Sequence, residues 1–313
     1  MSEAPLYARI AEAPEGGCAR WVEAADGVRL RIAWWNAGDA GTVLIFPGRT
    51  EFIEKYGRTI AAFVARGFSA AAIDWRGQGL SDRLAPNRKL GHVGRFADYQ
   101  LDVEAFTAAL RAVPLPEPFH LCAHSMGGTI GLRALIRGLD VDRSLFSAPM
   151  WGLTIDPLWR PLVQAAAAGG DAVGLGKEYA PGTGPDNYLQ SHGFEGNSLT
   201  SSAESWEYMQ RQIRAHPGLT IGGPSVHWLS EAMAETRALM ALPPPRVHAL
   251  CLIGSDEQVV DKRDVQGYME RWPHGHLGIV SGARHEILME TPEIRRRAHD
   301  MIDLFYRERD AGQ

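Results

Sequence analysis

The ten residues Phe119-His120-Leu121-Cys122-Ala123-His124-Ser125-Met126-Gly127-Gly128 restrict the possible folds of this chain more than any other stretch. Phe119–His124 reads as a short apolar strand and Thr129–Arg137 as a helix, so a tight turn must join them. A serine pinned between a strand end and a helix start has its hydroxyl thrust out at a sharp corner. The residue two places later must be very small, because helix and strand nearly collide there, and Gly127 meets that need. Ala123 stands where a second glycine is usual and adds one methyl group. An ordinary strand–helix junction would use Ser125 as a cap; a nucleophile elbow would present it as the attacking group.

The chain around this stretch alternates strand and helix. Arg20–Ala24 and Val28–Trp35 flank Ala25-Asp26-Gly27, a hairpin turn signal. Thr42–Phe46 is a continuous apolar strand ending in Pro47-Gly48-Arg49-Thr50-Glu51, which can continue neither as strand nor as helix. A helix near Lys55–Arg66, a strand Ser69–Asp74, a glycine-rich turn Trp75–Ser81 and an amphipathic helix Ala97–Ala112 follow. Strands Asp142–Ser147, His248–Ile253 and Leu277–Val280 and a helix Pro292–Arg307 complete the pattern. This order predicts an α/β fold, a mostly parallel central sheet flanked by helices. The block Pro149–Pro245, rich in Gly, Pro and aromatics, breaks the rhythm and predicts an inserted, mainly helical cap over the strand ends. The expected organisation is core 1–148, cap 149–245 and core 246–313.

Composition narrows the chemistry. With 313 residues and a net charge of -5, the chain has no basic block suited to phosphate neutralisation, so nucleic acid is not an expected partner. Cys18, Cys122 and Cys251 are far apart and form neither a disulfide framework nor a metal spacing, which suits a reducing cytoplasm. The first residues lack a secretory pattern, and no apolar run is long enough to cross a bilayer.

A serine nucleophile needs a base, an orienting acid and donors for the developing oxyanion. After Ser125, two polar loops follow strand ends: Gly254-Ser255-Asp256-Glu257-Gln258-Val259-Val260-Asp261, and Ser281-Gly282-Ala283-Arg284-His285-Glu286. They follow the order serine, acid, histidine, with His285 the candidate base. His124 should face the other side of the elbow as a packing residue, and His274 and His276 should be exposed.

Phe46-Pro47-Gly48-Arg49, Asp74-Trp75-Arg76-Gly77-Gln78-Gly79-Leu80-Ser81, Ala123–Gly128 and Gly282–Leu288 together resemble the α/β-hydrolase superfamily. The branch most similar holds bacterial lysophospholipases and monoacylglycerol lipases. The Pro-Gly-Arg loop, Ile221–Trp228 and His285-Glu286-Ile287-Leu288 favour the lysophospholipase side. Alignment to the family pattern after Gly254 places the triad acid at Glu257, where Asp is more usual; Asp256 is one place early, and Asp261 suits a cap for a helix near Lys262. The oxyanion donors are expected from the backbone N–H groups of Met126 and Arg49. The Arg49 side chain has three readings: a headgroup contact, a solvated loop arginine, or a partner for Glu51. Asp74–Ser81 reads as a structural turn bracing the elbow. The cap aromatics Trp151, Trp159, Tyr179, Tyr188, Trp206, Tyr208 and Trp228 should mostly fill the cap's own core, a few lining an acyl slot.

The resemblance implies a serine hydrolase without cofactor or metal, cleaving carboxylic esters of glycerol-linked single-chain lipids through an acyl-enzyme, with Ser125, Glu257 and His285 as the triad. The expected setting is cytoplasmic, with at most a transient touch of the apolar cap on the inner membrane face. A general carboxylesterase on non-lipid esters and a catalytically silent ligand-binding member of the fold are the alternatives.

Overall fold

The computed structural model describes residues 1–154, 158, 160–170 and 172–308. Nine strands form one sheet: β1 (Ser2–Glu3), β2 (Cys18–Glu23), β3 (Arg29–Trp35), β4 (Thr42–Phe46), β5 (Ser69–Asp74), β6 (Phe119–His124), β7 (Arg143–Ser147), β8 (His248–Gly254) and β9 (Gly275–Val280). Their order is β1-β2-β3-β5-β4-β6-β7-β8-β9, antiparallel from β1 to β5 and parallel from β5 onward. The expected α/β architecture is the one observed.

Why the middle strands read as unbroken apolar runs follows from their pleat. Leu44 and Phe46 of β4 face one core, shared with Phe106 and Ile130, while Val43 and Ile45 face the other, shared with Phe63 and Ile302. The first face is covered by α3 (Tyr99–Arg111), α4 (Met126–Ile136) and α9 (Lys262–Met269). The second is covered by α2 (Gly57–Val64) and α10 (Pro292–Arg307). A short α1 (Ala8–Ala11) precedes β2, and α5 (Arg160–Gly169), α6 (Tyr188–Ser191), α7 (Ala203–Ala215) and α8 (Val226–Ala241) lie between β7 and β8. The switch in strand order falls between β4 and β6, which opens a crevice outside their C-terminal ends.

Three expectations shift. The helix after the elbow begins at Met126, directly behind Ser125, rather than at Thr129. Gly127 and Gly128 look like breakers in sequence, yet they let the helix dock: a Cβ on Gly127 would run into the Phe46 carbonyl and one on Gly128 into Pro149. The expected helix over Lys55–Arg66 divides into a tight turn Ile53–Tyr56 and α2, because Gly57 packs against the Ala11 carbonyl. The aromatics of the insertion are shared between two cores rather than mostly filling one of their own. Trp151 and Trp228 join the main core, whereas Trp206 and Tyr208 sit, as expected, in a cluster built mostly from the insertion itself (Leu189, Met209, Ile213 and Leu219), to which Phe52 and Met289 of the core loops add. Trp159 lies outside the described residues.

Candidate active site

Ser125 sits at the β6–α4 corner with φ 50° and ψ -118°, a backbone conformation that L residues rarely adopt. Ser125 N donates to Ser147 O (3.1 Å), and Ser125 O accepts from Gly128 N and Met150 N (2.9 Å each), so the corner is held from both neighbouring segments. His285, on the loop after β9, lies with Nε2 3.0 Å from Ser125 Oγ. Its Nδ1 is 2.8 Å from Glu257 Oε2, and the Glu257 side chain is fully buried. The other Glu257 oxygen accepts from the Val259 and Val260 amides at 2.6 and 3.2 Å. Burial alone would raise the Glu257 pKa; the adjacent His285 and the two amides outweigh it and hold the carboxyl below its usual range. Asp256 is exposed and accepts from Ser255 Oγ, away from His285. Asp261 caps α9 by accepting from Arg263 N (2.9 Å).

The loop after β4 runs beside the serine. A Cβ on Gly48 would lie 3.1 Å from Ser125 Cβ. Met126 opens α4, so its N–H is one of the donors a helix start leaves unused. Arg49 N has no hydrogen-bond partner among the described residues. The turn after β5 holds this loop: Thr50 N donates to Gln78 Oε1 (2.6 Å), Gln78 Nε2 to Gly48 O (3.4 Å) and Trp75 Nε1 to Pro47 O (2.8 Å). Bracing therefore acts on the loop next to the elbow, close to the expected role.

A cavity of about 540 Å³ contains Ser125 and His285, with Leu153, Leu189, Ile213 and Val259 among its mostly apolar walls. Of the aromatics expected to line such a slot, Tyr188 and Trp228 do so.

Sequence reasoning missed a buried charge cluster beneath His285. Lys55 Nζ bonds both Glu51 and Glu286, the latter at 2.6 Å, and Glu51 also bonds Gly48 N and Tyr56 OH. His124, expected only to pack, belongs to it. Its Nδ1 is 2.9 Å from the Ser147 carbonyl and so must carry a hydrogen. Its Nε2 is 3.4 Å from Glu286 and 3.5 Å from Glu51, too long for good hydrogen bonds but close enough for Coulombic attraction. Burial opposes the charge on His124, and the two carboxylates overcome it and raise its pKa. The imidazole rings of His124 and His285 are 4.9 Å apart. Glu51, His124 and Glu286 are the residues, among those described, whose ligand atoms converge as a metal set would, but Lys55 occupies the cationic position between the two carboxylates. His274 and His276 are exposed, as expected.

A sheet in this order, delivering a strained serine at its switch point, places the chain in the α/β-hydrolase superfamily. Residues 38–292 match the family described as serine aminopeptidase, S33, and the chain belongs to that family. Lysophospholipase L2 of Escherichia coli K12 is 34% identical over 281 residues, covering 85% of this chain and 80% of the relative. A probable lysophospholipase L2 of Haemophilus influenzae is 26% identical, covering 84% and 82%. In structure, a soluble variant of the Saccharomyces cerevisiae monoglyceride lipase superposes with a TM-score of 0.70 at 18% identity, covering 91% of this chain and 94% of the lipase.

Proposed function

We propose that this protein hydrolyses carboxylic esters of glycerol-linked single-chain lipids, of the lysophospholipase or monoacylglycerol lipase type, through an acyl-enzyme. The observation that carries the reading is the continuous hydrogen-bonded chain from Glu257 through His285 to Ser125, opening into an apolar cavity. His285 Nε2 takes the Ser125 proton as Oγ attacks the ester carbonyl, and Glu257 holds the imidazole in the required orientation and favours its cation. The N–H groups of Arg49 and Met126 receive the oxyanion; a donor of this kind is worth about 2.7–4 kcal/mol in the transition state. His285 then protonates the leaving glycerol oxygen, and water repeats the sequence to release the fatty acid. No cofactor or metal enters these steps.

Residues 149–245 act in this reading as a cap that shelters the cavity and receives the acyl chain. Exposed Leu158, Leu162, Val173 and Leu175 give the cap an outward apolar side suited to brief contact with a lipid surface. A cytoplasmic setting fits the three unpaired cysteines. No helix among the described residues is long and apolar enough to cross a membrane.

Labelling with a fluorophosphonate tests the mechanism. Wild-type protein should label at Ser125 and turn over a short activated ester, and Ser125→Ala should do neither. Glu257→Gln should lose about 10³–10⁴-fold in kcat, as triad acids do, while Asp256→Asn keeps near wild-type rates. A Ser125→Ala protein that still forms the adduct refutes the reading.

A further inference from the structure

We propose that the Arg49 guanidinium is the subsite for the phosphodiester of a single-chain glycerophospholipid, with the headgroup beyond it seated in an adjoining cleft. The proposal rests on the ester-hydrolase reading above and names the substrate class within it.

Arg49 follows the glycine that abuts Ser125, so its side chain starts one residue from the reacting centre. Arg49 and Thr50 line the cavity that holds Ser125 and His285, and they also line a second cavity of about 360 Å³ with Thr183, Asp186 and His192. Arg49 thus stands where the acyl chamber meets a smaller cavity that carries the polar side chains Thr183, Asp186 and His192. In a single-chain glycerophospholipid the phosphate lies one glycerol length from the ester carbonyl, and the headgroup continues away from the acyl chain. The exposed carboxylate of Asp186 gives the second chamber a charge that suits an ammonium-bearing headgroup.

Charge accounting supports the same assignment. Arg31 and Arg76, both buried, each hold two carboxylates: Glu54 and Asp74 for the first, Asp26 and Asp102 for the second. Arg49 has no carboxylate partner among the described residues, and Glu51 is taken by Lys55. Burial pulls the Arg49 pKa down to about 10, against an opposing pull from Tyr99, so the group is still a cation at neutral pH. One Nη1 bond to Gly222 O (3.1 Å) and a position 5.5 Å from the Trp228 ring centroid fix the guanidinium plane. The remaining N–H groups are left for a ligand anion, whose arrival would supply the counter-ion that this half-buried charge lacks among the described residues.

The test compares kcat/KM for a lysophosphatidylcholine and a monoacylglycerol of the same short acyl chain, both below their micellar concentrations. Arg49→Met should lower the ratio of the two by about 10- to 100-fold, the worth of one charge-assisted hydrogen-bonded pair. Arg49→Lys should recover part of it. Equal losses on both lipids, or an unchanged ratio, would mean that Arg49 only braces Gly222 and Trp228, and the proposal falls. Glycerophosphocholine should inhibit the wild-type protein competitively, a measurement independent of any folding defect in a variant; inhibition by inorganic phosphate at equal concentration would overturn the phosphodiester assignment. Wild-type enzyme that cleaves the monoacylglycerol but not the lysophosphatidylcholine removes the subsite and leaves the hydrolase reading intact. A protein inert to both lipids and to a fluorophosphonate fails that reading itself.

Discussion

Lys55 sets the charge balance under His285. Its ammonium lies between Glu51 and Glu286, two carboxylates that also face His124. Burial would lower the Lys55 pKa and raise that of Glu286, but their mutual attraction wins: Lys55 is raised and Glu286 held well below the usual carboxylate range. A depressed carboxyl contributes stability above its ordinary pKa and loses it as pH falls through the depressed value. A raised histidine contributes below its ordinary pKa and loses that as pH rises through the raised value. Lys55→Met leaves two buried carboxylates with no cation between them, beside the His124 imidazole alone, so it should cost about 3–5 kcal/mol near neutral pH. Glu286 is then no longer depressed by Lys55, and protonation relieves the repulsion. The gap to wild type should therefore shrink as pH falls toward the carboxylate range. Thermal unfolding across pH 4 to 8 checks this, and a gap that stays constant would assign Lys55 a packing role instead. The cluster was not legible in the sequence, because Lys55 and Glu286 are separated by 231 positions and nothing in either neighbourhood shows that the two meet. Ser125 and His285 were legible, since a strand end, a small residue at a set offset and chain order announce them.

At the scale of elements, the strands of the middle sheet were readable because both faces are covered, which leaves Thr42–Phe46 and Ser69–Asp74 as uninterrupted runs bounded by turns. The start of α4 was not, because a glycine pair has the same letters whether it ends a helix or lets one approach a strand. Equally hidden was what holds the loop after β4. Thr50 has φ 65°, and its N–H is satisfied only by the Gln78 side chain, which also reaches back to Gly48 O. Asp74, at the base of the same turn, accepts from Ile53 N (2.8 Å) and Leu80 N (2.7 Å), so loop and turn form one unit. Gln78→Ala strands a polar amide of the loop at a cost of about 1–3 kcal/mol and frees the segment that carries Arg49 N. The expected outcome is a kcat at least about tenfold lower, with KM for a soluble ester little changed, since in the proposed mechanism the Arg49 N–H acts on the transition state. Steady-state kinetics decide: a rise in KM at constant kcat would make Gln78 a substrate contact.

The molecule as a whole ties its insertion down at both ends of the cavity. Trp228 Nε1 bonds Tyr99 OH (3.1 Å) and Arg133 holds Glu235 (2.6 Å) on one side. On the other, Tyr208 OH donates to Ala11 O (2.6 Å), and Arg284 bonds Asn197 O and Thr200 O (2.9 and 3.0 Å) beside His285. Trp151 and Trp228 serve the main core while Trp206 and Tyr208 serve the insertion's own cluster, a division the sequence could not reveal, because an aromatic reads alike whichever core receives it. What faces outward is the part of the insertion around α5, where Leu162 is 51% and Val173 71% exposed. With a net charge of -5, attraction to anionic lipid is weak, so any contact there must be apolar and shallow. Leu162→Ser combined with Val173→Ser should lower hydrolysis of lipid held in neutral vesicles several-fold while leaving the rate on a water-soluble ester unchanged. Sedimentation with vesicles should show the matching loss of binding, and adding anionic lipid should not strengthen wild-type binding. Equal rates of the variant and wild type on vesicle-held lipid would leave the exposed apolar side with no part in reaching substrate.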